Sequence, residues 1–390
     1  MEVLNKVIVF GGGLINTLGL VRSIGRMGKK VDLVVPAPEL EKSALASSRY
    51  VNRVVALENK DMAAEVLLQE YSGEPYKPVV LCECDALMSV LDSHLDELLT
   101  RFHIFNANRE SGRINFFLDK VNQFVYAERC GLATIPTWRL SSGDAIPSDI
   151  AYPCITKGVN STRCTKGDMH ICADESALKS AINDRSDFIV QSFIAKEYEL
   201  DVVGFAYENG KRIFLPAVVR KIREGLYRQS DCIRIEAVDK YPSLDIEGIK
   251  RLVASIGYEG IFSVEFIYAN EKYYFLEINL RNDGTSYLYT TAGVNYPWLW
   301  VLYNSVGVDE SILSELKFRG SKTLVQVYDF LNVIEKKLSF REWLNDLVKA
   351  DAFFVFDLKD PMPFFASTWE LAVRAVNKFT RNLRWVSNEE

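Results

Sequence analysis

The chain has 390 residues, 48% of them hydrophobic and 25% charged, with a net charge of −6. That is enough apolar material for a large core divided over two or three domains, and the acidic balance argues against a general nucleic-acid binder. Seven scattered cysteines, the closest pair being Cys82 and Cys84, point to reduced thiols in a cytoplasmic protein rather than to a disulfide framework or a zinc site.

The N-terminal stretch MEVLNKVIVFGGGLINTLGLV is apolar but broken by three glycines and Asn16, and reads as neither signal peptide nor membrane span. Strands are expected at Val7–Phe10, Val31–Val35 and Pro78–Cys82, with helices at Asn16–Met27 and about Ala86–Thr100, the pattern of an open parallel sheet. Gly11, Gly12 and Gly13 suit either a plain tight turn or a dinucleotide-binding turn. The second reading lacks its acidic ribose partner, because the next strand ends in Val35-Pro36. Glu83 and Asp85 lie just beyond a strand's carboxyl end, where open sheets bind ligands. Asp85 suits contact with an amine substrate or capping of the following helix.

From Ile114 the texture changes. FFLDKVNQFVYAERCG reads as a helix ending near Cys130-Gly131, followed by the strand YPCITKG with Lys157, the polar loop VNSTRCTKGD, a helix at Glu175–Asn183 and the strand DFIVQSF. Asn209-Gly210 marks a hairpin that pairs Glu208 with Lys211 and sets Glu199 opposite Arg220. A second hairpin joins IFSVEFIY to YYFLEIN. A two-residue loop puts Glu265 opposite Leu276, whereas a three-residue loop puts it opposite Glu277 and sets Asn279 opposite Ser263. Facing carboxylates repel, so the second register implies a cation between them, and Glu and Asn oxygens suit magnesium. His94, His103 and His170 fit no ligand or triad spacing.

Taken in order, Asp119-Lys120, Lys157 in YPCITK, Gln191 in FIVQSFI, KEYELDV and the VEF/FLEINLR pair resemble the ATP-grasp superfamily, carboxylate-amine ligase type, over residues 5 to 305. The resemblance implies an N-terminal α/β open parallel-sheet (pre-ATP-grasp) domain at 1–113. It also implies an α+β ATP-grasp domain at 114–305, with subdomains 114–185 and 186–305, and a mostly helical C-terminal region at 306–390. It implies one or two Mg2+ ions, or Mn2+, on Glu265, Glu277 and Asn279. ATP would meet Lys120, Lys157, the loop residues Ser161, Thr162 and Arg163, the backbone of Gln191, Ser192 and Phe193, and Glu197 at the ribose. Arg281 would stabilise the transferring phosphoryl group. Lys157 is followed by Gly158 where many members have proline, and Leu280 stands where most have proline.

The implied activity is phosphorylation of a carboxylate to an acyl phosphate and its coupling to an amine. Bicarbonate or carbamate phosphorylation and a non-catalytic nucleotide-binding protein are the alternatives. Small-molecule carboxylates and amines are the expected partners, nucleic acid is not, and a homodimer is compatible with the sequence. In TWELAVRAVNKFTRNLRW, residues Trp369, Val373, Val376 and Leu383 recur at helical spacing beside Arg374, Lys378, Arg381 and Arg384. This basic amphipathic helix suits docking on the protein's own core or on an anionic membrane surface.

Overall fold

The computed structural model describes residues 2–37, 44–160, 169–182, 187–224, 230–316, 318–320, 322–326 and 329–370. Strands β1 (Val7–Phe10), β2 (Val31–Pro36), β3 (Val51–Leu57) and β4 (Val79–Cys82) form an all-parallel sheet in the order β3-β2-β1-β4. The fully buried apolar runs of β1, β2 and β4 are what a parallel sheet covered on both faces requires. β3 escapes sequence reading because it is an edge strand whose residues are mostly half-buried or exposed. The helix expected at 86–100 is two, Asp85–Ser93 and Leu95–Leu98, broken at His94.

The glycine turn after β1 is closed from within. The amides of Gly12 and Gly13 both donate to Glu83 Oε1 at 2.9 Å, and Thr17 Oγ1 donates to the same oxygen at 3.2 Å. The anion that a helix N-terminus attracts is thus the protein's own carboxylate. Gly11 is required here, since a Cβ would lie 2.3 Å from Thr17 Oγ1.

After the short β5 (Asn106–Ala107), the helix expected through 116–130 is also broken, into Arg113–Phe117 and Lys120–Arg129. Asp119 causes the break: its carboxylate accepts the Val121 N–H at 2.8 Å as an N-cap, while the Lys120 N–H goes to Val159 O at 3.0 Å. Asp92 performs a related task for helix 113–117, accepting the Asn115 N–H at 2.9 Å. Its side chain is fully buried with Oδ1 unpartnered, and burial pushes its carboxyl up to about 6. A folded-state value raised above the ordinary carboxylate range makes the ionised form a liability that grows as pH rises from about 4 to 6. Asp92→Asn should therefore gain on wild type by about 2 kcal/mol between about pH 4 and pH 8, as measured by urea unfolding at the two pH values.

Strands β6 (Thr137–Leu140), β7 (Cys154–Gly158), β8 (His170–Cys172) and β9 (Phe188–Ser192) make a small antiparallel sheet ordered β6-β9-β7-β8. One face has its own core, including Leu140, Cys154, Leu178, Phe188 and Val190, while Ile189 on β9 and Val159 after β7 join the large core.

The third sheet contains β10 (Tyr198–Tyr207), β11 (Arg212–Phe214), β12 (Ala217–Glu224), β13 (Ser230–Ala237), β14 (Tyr258–Ala269), β15 (Lys272–Asn279), β16 (Lys322–Val325) and β17 (Ala352–Phe353). Its order is β15-β14-β10-β12-β13-β16-β17, with β11 on β10 and β5 on β14. The expected mostly helical region at 306–390 is therefore interrupted by strands. Helix Phe340–Lys349, opened by a Ser339/Glu342 capping box, gives way to β17, and a helix resumes at 362–370.

The tail is fastened to the N-terminal sheet. Arg22, fully buried in helix Leu14–Gly25, donates through Nε to Asp360 Oδ2 at 3.1 Å and through one amino group to the carbonyls of Val355 and Asp360, both at 2.8 Å. Ser48 Oγ and the Arg49 N–H donate to the same carboxylate at 2.8 and 3.0 Å. Asp357 accepts from Arg26 at 2.7 Å and from Tyr287 at 2.8 Å. Among the described residues no helix is long and apolar enough to cross a membrane.

Candidate active site

The β14–β15 hairpin sets the centre of the site. Asn270 and Glu271 form a two-residue turn at φ 50° and 61°, so Ala269 faces Lys272 and the pairing runs in that register to Phe266 and Phe275. The register then shifts by one residue at Leu276, which brings Glu265 opposite Glu277 and Ser263 opposite Asn279. The sequence offers a short loop or facing glutamates, and a one-residue bulge allows both.

Each glutamate meets a lysine from another element. Lys120 contacts Glu277, and it is placed there by Gln123 one turn along the same helix. Gln123 donates to Ile278 O and accepts from Ile278 N, both at 3.0 Å, pairing the edge of β15 in backbone fashion. Lys221, on β12, lies 2.8 Å from Glu265 and 2.9 Å from Glu199. The Lys120 charge outweighs burial and holds the Glu277 carboxyl down to about 2. Burial opposes the charged form of Lys221, but Glu265 and Glu199 keep its ammonium well above the ordinary range. Lys157, on β7, carries the opposite signature: burial and the nearby Lys120 charge lower it.

Arg281 follows the hairpin. It donates through Nε to Asp85 Oδ1 at 2.6 Å, and through its amino groups to Asn279 Oδ1 and Asn282 O, both at 3.1 Å. Burial opposes its charge, yet Asp85 and Asp283 hold the guanidinium above its ordinary range. Asp85 thus directs its carboxylate at Arg281 rather than at the end of its own helix. The Asn282 N–H bonds Cys82 O at 3.1 Å, and Asn16 Nδ2 bridges Glu83 O and Asn282 O at 3.1 Å each. The carboxyl end of the parallel sheet is thereby sewn to the end of β15.

Lys120, Lys157, Glu265, Glu277, Asn279, Arg281 and Asp85 therefore converge. Gln191 lies on β9 beside β7, buried, with Nε2 bonded to Thr137 Oγ1 at 2.9 Å. The amides of Ser192 and Phe193 donate to Pro136 O at 3.2 Å and Pro153 O at 3.0 Å, which leaves carbonyls, not these amides, for a ligand. Glu197 is exposed and lines a groove of about 390 Å³ with Lys196, Glu199, Arg220 and Lys221. Ser161, Thr162 and Arg163 lie outside the described residues, as does most of their loop.

Two expectations need correction or extension. Glu199 faces Lys221, not Arg220, because the break at Leu215-Pro216 between β11 and β12 moves the register by one residue. Sequence reading also missed Lys221 and Asp201. The latter faces Glu265 across β10–β14, is 1% exposed, and accepts from Thr285 Oγ1 at 2.9 Å. Burial, with Asp283 and Glu265 nearby, favours its protonated form. The clue to Asp201 was its i+2 spacing from Glu199 in YELDVVGF, which puts both acids on one face of an apolar strand.

Among the described residues no three His, Cys, Asp or Glu side chains form a metal cage. The hairpin offers two carboxylates and one amide oxygen, a hard donor set that suits an ion completing its shell with phosphates and water.

The ATP-grasp domain family matches residues 126–296. These residues are an ATP-grasp domain. Over 68% of its length the chain is 24% identical to the formate-dependent phosphoribosylglycinamide formyltransferase of a Nitratiruptor species, 70% of which is covered. The same enzyme of a Sulfurovum species is 26% identical over 67% of this chain and 69% of its own. In fold, the chain resembles the L-amino acid ligase of Bacillus licheniformis at a TM-score of 0.65, with 14% identity and 83% and 80% of the two chains covered. It also resembles the N5-carboxyaminoimidazole synthetase of Staphylococcus aureus at 0.64, with 15% identity and 88% and 87% covered.

Proposed function

We propose that this protein is an ATP-dependent ligase that phosphorylates a small-molecule carboxylate to an acyl phosphate and couples it to an amine, releasing ADP and phosphate. The observation that carries the reading is Glu265 facing Glu277 with Asn279 two residues on, set among Lys120, Lys157, Lys221 and Arg281. Two acids that repel are held together by a bulge and by lysines drawn from separate elements, an arrangement with a chemical use and no packing use.

Glu265, Glu277 and Asn279 are the residues that would hold magnesium, which when bound neutralises charge on the β and γ phosphates. Lys120 and Lys157 approach from the helix and the small sheet, and Lys221 from β12, so a triphosphate between the two sheets meets ammonium groups on both sides. Glu197 lies at the groove mouth where the ribose hydroxyls would reach it. A carboxylate oxygen of the substrate attacks the γ phosphorus as the bond to ADP breaks. The amine then attacks the acyl carbon, phosphate departs, and the amine proton leaves to solvent. Arg281, fixed by Asp85 and Asn279, faces the charge that develops in both steps. No side-chain nucleophile is required.

Hydroxylamine tests this directly, because it traps an acyl phosphate as a hydroxamate. In pools of amino acids, peptides and sugar acids, the active pool should give ADP and hydroxamate together. ADP release that ignores every carboxylate and yields no hydroxamate would overturn the reading.

A further inference from the structure

Strand β12 carries Lys221 to Glu199 and Glu265 and then loses its register. Lys221 faces Ile233, whereas Arg223 faces the preceding residue of β13, Cys232, so Ile222 is an extra residue and forms a bulge. β13 is irregular in turn at Asp231. On a regular strand Lys221 and Arg223 would share a face. Ile233 and Cys232 are neighbours, so the bulge sends the two cations to opposite faces of the sheet.

Both irregularities are held by the C-terminal region. Arg223 donates through Nε to Asp329 Oδ2 at 2.9 Å and through both amino groups to Asp346 Oδ2 at 3.0 Å. Asp329 is fully buried and also accepts from Asn332 Nδ2 at 2.8 Å, while the Asp231 carbonyl accepts the Gln326 N–H at 2.8 Å. Burial opposes the Arg223 charge, yet the two aspartates hold its guanidinium above the ordinary range. Helix Phe340–Lys349, which brings Asp346, has no buried residue. A planar fork that spans two acids from separate segments fixes the backbone carrying it, which a point charge on a flexible stem does not.

We propose that Arg223 is a positioning residue: locked by Asp329 and Asp346 on one face of β12, it pins the bulge that aims Lys221 at Glu265 and Glu199 on the other. The proposal rests on the ligase reading, in which Lys221 meets the triphosphate. It makes the C-terminal region a support of the site although none of its residues enters it.

The test is calorimetric binding of a non-hydrolysable ATP analogue with Mg2+ to wild type, Arg223→Lys, Lys221→Met and the double variant, with circular dichroism to check the fold. Arg223→Lys keeps the charge but cannot bridge both acids. Kd should rise about ten-fold in each single variant, near the lower end of what one charge-assisted contact contributes. The double variant should bind no more weakly than Lys221→Met, because Arg223 acts only through Lys221. Should the Arg223→Lys chain not fold, Asp346→Asn, which leaves Arg223 on Asp329, takes its place in the cycle with a smaller rise of about three-fold. Wild-type affinity in the folded variant, or effects that multiply in the double variant, overturns the positioning role alone. Wild type that binds no analogue overturns the ligase reading and this proposal with it.

Discussion

Replacing Glu277 by glutamine is expected to abolish ADP release while leaving the chain folded. Glutamine keeps the shape and one acceptor oxygen for Lys120, so the packing of β15 survives. What it loses is charge. With its carboxyl held down to about 2 beside Lys120, Glu277 is fully ionised at neutral pH, and it is one of only two carboxylates in the donor set of the hairpin. Removing it leaves Lys120 facing a neutral group and gives the phosphates an unbalanced field. A loss of about 10³-fold or more in kcat corresponds to about 4 kcal/mol of transition-state stabilisation, in the range seen when one preorganised electrostatic contact is deleted. Coupled measurement of ADP release checks the rate, and circular dichroism checks the fold. Turnover at the wild-type rate would remove Glu277 from the proposed metal-binding set.

The largest expected effect on stability lies far from that centre, at Asp360. Asp360→Ala strips the buried Arg22 guanidinium of its counter-charge and frees the Ser48 hydroxyl and the Arg49 N–H. Breaking a buried pair from one side costs about 3–5 kcal/mol, because the remaining charge stays desolvated and uncompensated. The urea midpoint should fall accordingly. The double variant Arg22→Met/Asp360→Ala should recover much of the loss, since it removes the orphaned charge as well. If the double variant is as unstable as the single one, the hydrogen bonds to Ser48 and Arg49, rather than the ion pair, hold the tail.

How far the sequence could be read depended on the range of the interaction. The alternation in VEF and FLEIN put the acids and Asn279 on one face, because strand period is local. Whether the two acids met could not be decided, since a bulge at Leu276 leaves no mark as plain as a glycine. The same limit explains Glu199: a single offset at Leu215-Pro216 exchanged Arg220 for Lys221 as its partner. Asp119-Lys120 was visible as a helix opening, yet FFLDK reads equally as mid-helix until Val159 supplies a carbonyl for the Lys120 N–H. The Arg22–Asp360 pair joins residues more than 300 positions apart, and nothing local to either residue announces it. Of the amphipathic helix expected in TWELAVRAVNKFTRNLRW, only Thr368, Trp369 and Glu370 lie within the described residues.

The separate core under β6 to β9 has a thermodynamic consequence. A sheet stabilised mainly by a cluster of about eight buried side chains, with Ile189 its strand contribution to the main core, has less to lose on opening than β10 or β14, so its amide protons should exchange at lower free energy than theirs. Lys157 and Gln191 are carried on that sheet, whereas Glu265 and Glu277 are not. A nucleotide gripping both would tie the weaker sheet to the stronger one, and part of its binding free energy would go into raising the small sheet's resistance to exchange rather than into affinity.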